Sequence, residues 1–209
     1  MTESQGFPKL DVKRMTGDER FQRDGQPLGL KLIEFWQWST SDLVSNATRG
    51  ILAEYIVATA LGVADGTRAE WDGFDLSIRS KVGTKVRIEV KSAAYLQSWS
   101  HKKFSNIRFG IRPTRKWDPE TNELSAEVKR QADIYIFCLL SHKEKKSLCP
   151  LNLDQWEFYI LNASVLNEKI AKQKTIGLAS LQKLKPCQVK YGEILACITM
   201  LASQTETVA

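Results

Sequence analysis

The chain has no run of 18 or more apolar residues, the length a bilayer-spanning helix requires. Its first residues, MTESQGFPKLDVKR, lack the basic-then-apolar layout of a secretory leader. Histidine is scarce, with only His101 and His142. Cysteine is sparse and scattered: Cys138, Cys149, Cys187 and Cys197 form no CxxC pair, which argues against a zinc site and against a disulfide framework. Neither histidine stands in a recognisable setting for a Ser-His or Cys-His nucleophile. Internal repeats, collagen-like periodicity and low-complexity tracts are missing too. These absences lead to the expectation of a soluble cytoplasmic protein that makes no use of a membrane, with one globular core in 209 residues.

What the chain does have is charge, unevenly placed. The formal balance is +6, yet residues 76–130 carry thirteen Lys or Arg against five Asp or Glu, so the remainder is slightly acidic. A basic middle with HKKF and RKW clusters suits a polyanionic partner, because Lys and Arg contacts to phosphate supply most non-specific nucleic-acid affinity. A solvated charged face explains the same composition equally well.

Residues 1–30 are polar, glycine-containing and without sustained periodicity, and are expected to form a flexible or loosely docked extension of a single domain over 31–209. From Ser39, STSDLVSNATRGILAEYIVATALG offers Ser, Thr and Asp as N-caps, then apolar residues at helical spacing, and a stop at Gly62. The period then changes to two: Phe74, Leu76 and Ile78 alternate with polar residues, as do Val86, Ile88 and Val90, with SKVGT as the turn between them. Asn106 to Ile111 reads as a short strand, KWDPETNEL as a loop around Pro119 and Asn122, and ADIYIFCLL (132–140) as a strand buried on both faces. WEFYIL (156–161) is a further strand, and SVLNEKIAKQ and SLQKLKP are short helices. The tryptophans at 36, 38 and 71 are assigned to the core or to helix entry. This order predicts an α/β fold with a mixed sheet.

The hairpin register can be worked out from its turn. Arg79 opposes Lys85, Ser77 opposes Arg87, and Asp75 opposes Glu89. Side chains directly opposed on antiparallel strands lie about 5 Å apart, and like charges there destabilise the sheet. A divalent cation between the two carboxylates would reverse that sign, and Mg2+ commonly binds through one or two carboxylates while keeping several waters. Lys91 shares the face of Glu89 because strand side chains repeat every two residues. On the preceding helix, Glu54 has only small or apolar neighbours (Ala47, Gly50, Ile51, Val57, Ala58 and Leu61) at helical spacing, which places it in the buried stripe without a basic partner at i±4. Each part has an ordinary reading: Glu-x-Lys as a solvated pair, Glu54 as a snorkelling or protonated side chain.

Glu54 on a helix, Asp75 on the next strand and Glu89-Val90-Lys91 on the one after resemble the active-site series of the PD-(D/E)XK nuclease superfamily. One departure is Phe74, which stands where the family name has proline. The resemblance implies a restriction-endonuclease-like core, a central mixed sheet flanked by helices, making 31–209 a nuclease-like domain. It implies Asp75 and Glu89 as metal ligands with the Val90 carbonyl completing the shell. Glu54 would serve a second metal or its water, and Lys91 would orient or deprotonate the attacking water. The expected activity is Mg2+-dependent endonucleolytic hydrolysis of DNA phosphodiesters, with Mn2+ as a substitute cofactor and RNA left open as substrate. Gln97 reaches the same site if SAAYLQSW begins a helix, and is otherwise a surface amide. Lys102, Lys103, Arg115 and Lys116 are the candidate nucleic-acid contacts, chosen for their clustering. A homodimer or a specificity-providing protein partner would supply target recognition. The rival readings are a non-cleaving nucleic-acid-binding module of the same fold, a nuclease subunit of a larger assembly, or an ordinary α/β domain with a charged hairpin.

Overall fold

The structure is a computed structural model describing residues 10–68, 70, 72–118 and 121–206. Residues 1–9 of the N-terminal extension, Trp71 and Pro119, all named above, lie outside the described residues.

Two strands, β1 (Arg20–Arg23) and β2 (Gln26–Lys31), form an exposed hairpin that leads into helix α1 (Leu32–Thr40). Its turn is Asp24-Gly25, both at positive φ (52° and 73°), the backbone that a two-residue hairpin loop requires. Trp38 on α1 is 84% exposed, so it is not a core residue; Trp36 is half-buried and shields Gly17.

The predicted helix from Ser39 is interrupted. Helix α2 runs Asn46–Leu61 and is capped by Ser45, whose hydroxyl accepts from the Thr48 N–H. The Asp42 carboxylate accepts from the Val44 and Ser45 N–H groups, and this local bonding competes with helix continuation and separates α1 from α2. Gly62, left-handed at φ 69°, ends α2 as expected.

The hairpin of β3 (Leu76–Arg79) and β4 (Lys85–Ala94) has the predicted register, Arg79↔Lys85 and Ser77↔Arg87, around a turn containing Gly83 at φ 88°. A short β5 (Arg108–Gly110) follows. Then come two strands where the sequence suggested a loop: β6 (Thr114–Asp118) and β7 (Glu123–Lys129) pair as a hairpin, with Asn122 at φ 58°. The turn chemistry is real, but the flanking Thr, Trp, Leu and Val are strand formers and extend it into a ladder. Strand β8 (Ile134–Leu140) is buried at all seven positions, as its unbroken apolar run predicts. The chain finishes with β9 (Trp156–Asn162), α3 (Ala163–Ile170), β10 (Thr175–Gly177), α4 (Leu178–Lys183), β11 (Cys187–Val189) and α5 (Ile194–Glu206).

The central sheet has five strands in the order β11-β9-β8-β4-β3, mixed because β4 and β8 are parallel and the other pairs antiparallel. One face packs on α2 and α5 through Ile88, Val90, Ile136, Phe158 and Ile160. The other packs on α3, α4 and the small β5-β10 sheet through Phe109, Tyr135, Phe137, Tyr159 and Leu166. The architecture is thus mixed α/β, a central mixed sheet flanked by helices. Among the described residues no helix is long and apolar enough to cross a membrane.

Candidate active site

The β3-β4 ladder ends at Leu76↔Ile88. One residue earlier the chain peels away: the Asp75 N–H still donates to the Ile88 carbonyl at 3.1 Å, but the Asp75 side chain turns in and accepts from the Val90 N–H at 2.7 Å. Asp75 and Glu89 are therefore close without forming a regular ladder pair. Strand alternation puts Val90 in the α2-side core, while Glu89 and Lys91 project from the opposite face beside Tyr135 and Phe137, their register partners on β8. Asp75 lies at the margin between these two faces.

Its electrostatics record that position. The Asp75 carboxyl is raised from its ordinary 3.8 to about 6, first by burial, then by Glu89 and more weakly by Glu54. Lys91 and the Val90 N–H pull in the opposite direction without cancelling the rise. Lys91 is ion-paired with Glu89. Asp75 thus feels the charges of Glu54, Glu89 and Lys91, although of these only Glu54 lines a cleft with it.

Glu54 sits differently from its expected place. It is at the edge of the buried stripe rather than within it, its side chain 14% exposed, and it has a basic partner after all. Arg68, from the loop after α2, makes a two-point contact with it, Nη2 lying 3.1 Å from Oε1 and Nε against Oε2. Helical spacing could not reveal Arg68, because it is fourteen residues away. Glu54, Arg68 and Asp75 line a cleft of about 320 Å³ with Ile51, Tyr55 and Phe74.

Another pair that sequence reasoning missed is Arg87 and Asp133. Asp133 Oδ2 accepts from both the Arg87 backbone N–H (2.8 Å) and Nε (3.0 Å), and Oδ1 from Nη2 (2.6 Å). This two-point contact fastens the start of β8 to β4, two residues from Glu89.

Among the described residues, no three His, Cys, Asp or Glu side chains stand together as a ready metal cage. The oxygen donors nevertheless suit a hard cation. Two carboxylates and one strand carbonyl are an ordinary protein share of a Mg2+ shell, which otherwise keeps water. The Asp75 carboxyl is raised first by burial and then by the charge of Glu89, and a cation would relieve the second of these.

Gln97 does not join this cluster. SAAYLQSW extends β4 to Ala94 and then turns, instead of starting a helix. Gln97 is 7% exposed, so it is not a surface amide either; its Nε2 donates to Ser105 Oγ at 2.9 Å and its backbone N–H to His101 at 3.2 Å. Lys102 and Lys103 are exposed in that same loop. Arg115 and Lys116 are exposed on β6, and Lys116 approaches Gly73, two residues before Asp75.

A family model described as bacteriophage T4 endonuclease IV matches residues 31–180, the span that holds every site residue above. Among solved structures, a bacterial homing endonuclease, I-Ssp6803I, is similar at 22% identity over 78% of this chain and 98% of its own, with a TM-score of 0.36. No curated protein matches.

Proposed function

We propose, because this chain belongs to the bacteriophage T4 endonuclease IV family and carries Asp75, Glu89 and Lys91 at one strand margin, that it is a metal-dependent DNA endonuclease with a PD-(D/E)XK site. The observation that carries this reading is the state of Asp75: a carboxyl held near 6 by burial and by a second carboxylate, and oriented by the Val90 N–H. Structural ion pairs lower a carboxyl's proton affinity. A raised one beside a second carboxylate is what an acidic site prepared for a cation has.

Asp75, Glu89 and the Val90 carbonyl would hold Mg2+, with Mn2+ able to replace it, and Glu54 would border a second position. When bound, the metal supplies Lewis-acid polarisation of the scissile phosphate and lowers the proton affinity of attacking water. The protein's own residues do the rest. The Val90 N–H fixes one Asp75 oxygen and leaves the other free to ligate. Glu89 keeps Lys91 over the strand margin, where its ammonium can stabilise charge developing on the phosphoryl oxygens and orient the attacking water. Arg68 holds Glu54 at the cleft wall and tempers its charge. The basic loop of Lys102 and Lys103 and the hairpin carrying Arg115 and Lys116 would attract the phosphate backbone.

The test is direct. Purified protein is incubated with supercoiled plasmid, linear duplex and single strands in Mg2+, Mn2+ or EDTA, beside the Lys91→Ala variant. Cutting of DNA in Mg2+ that disappears in EDTA and in the variant is the expected result. Cutting in EDTA, or undiminished cutting by the variant, would overturn the assignment.

A further inference from the structure

The molecule has a second polar pocket, of about 320 Å³, that shares no lining residue with the cleft at Glu54 and Asp75. It lies where the start of α2 meets the end of β4, and Asn46, Arg49, Gln97, Ser105, Asn106 and Arg108 give it its polarity. Among the described residues no acidic side chain lines it.

Two of these side chains are more than nine-tenths buried and incompletely bonded. Arg49 is 3% exposed; its Nη1 donates to the Val44 carbonyl at 2.8 Å and its Nη2 to Asn46 Oδ1 at 2.7 Å, but its Nε–H has no partner. Among the described residues no ion pair reaches it. A buried guanidinium bonded to neutral oxygens carries a large desolvation cost, and burial alone depresses its proton affinity. Gln97 Oε1 is also buried and unpartnered. Asn46, the first residue of the sixteen-residue helix α2, lines the same pocket, so the positive dipole end of that helix borders it.

We infer that this pocket binds a phosphate oxyanion of the nucleic-acid backbone, held by Arg49, Arg108 and the start of α2, at a position separate from the phosphodiester being cut. The inference rests on the nuclease reading above. Asn46 and Glu54 lie eight residues apart on one side of α2, about 12 Å along the helix axis, so a strand entering the cleft can occupy both. The pocket would anchor the substrate next to the reacting group, and the unsatisfied Arg49 Nε–H would gain the partner it lacks.

Two probes test it. The first is a fluorescein-labelled mixed-sequence duplex, followed by anisotropy in EDTA across a salt series. The second is inorganic phosphate, followed by thermal unfolding. Arg108→Ala, at an exposed position, and Arg49→Lys are compared with wild type. The expected result is about tenfold weaker duplex binding in both variants, a salt slope reduced by about 0.9 in Arg108→Ala, and disappearance of the thermal shift that phosphate gives wild type. Should Arg49→Lys prove unstable, Arg108→Ala decides alone. Wild-type affinity and slope in the variants overturn the inference, and so does a phosphate-specific shift unaccompanied by any change in duplex binding, which would mark a free-oxyanion site. Failure of the nuclease reading looks different: wild type itself neither binds nor cuts nucleic acid.

Discussion

Asp75 Oδ2 accepts a 2.7 Å hydrogen bond from the backbone N–H of Val90, fifteen residues further along the chain. That single bond holds a carboxylate against the strand that carries Glu89 and Lys91, just where the ladder with β3 ends.

Asp75 therefore limits stability at neutral pH. Its carboxyl binds a proton more tightly in the folded chain, near 6, than in the unfolded one, near 3.8. Between those values the folded state holds the extra proton, so stability falls as pH rises through the window, and above it the full cost of about 3 kcal/mol is present. Asp75→Asn keeps the acceptor for Val90 and removes the charge. In EDTA it should be more stable than wild type at pH 8, with the difference vanishing near pH 4 in urea titrations. A variant less stable at pH 8 would contradict this account.

Divalent cations should offset the same cost. At pH 8, millimolar Mg2+ or Mn2+ is expected to raise the wild-type melting temperature and to do little for Asp75→Asn or Glu89→Gln, because ligand binding to the folded state alone stabilises it. Equal shifts in all three proteins would place the cation elsewhere.

Arg68 competes with a cation for the field of Glu54. Arg68→Met removes one positive charge from the cleft wall, and the Mg2+ concentration giving half-maximal cleavage should drop severalfold. A higher requirement would mean that Arg68 is needed chiefly to orient Glu54.

Neutralising Lys102, Lys103, Arg115 and Lys116 together should weaken duplex binding and flatten its dependence on salt by about 0.9 for each phosphate no longer neutralised. All four are exposed, so unfolding is not expected to confuse the measurement. An unchanged slope would move the DNA path off this face.

Much of the fold is legible in local pattern. The end of α2 at Gly62, the hairpin register around Gly83 and the buried β8 each depend on neighbouring residues or on an apolar period, and each is found as expected. Two hairpins carry local signals that a reading by period alone passes over. Asp24-Gly25 is a strong two-residue turn signal within an otherwise featureless segment, and the strand formers flanking Asn122 are masked by the turn chemistry between them. The break before α2 is harder to see, since Asp42 and Ser45 both suit an N-cap and only their actual bonding shows which one ends the turn.

The amino-acid order by itself determined which side chains could come near one another on α2, β3 and β4, because helix and strand periods are fixed by backbone geometry and need no distant partner. Tertiary structure alone decided which distant charges and donors meet those side chains. Arg68 reaching Glu54, Asp133 clasping Arg87 and the partnerless Arg49 Nε–H are all products of long-range packing and of water excluded by it. The Coulomb and desolvation energies that set a site's chemistry depend on spatial separation and burial, quantities that position along a chain does not encode.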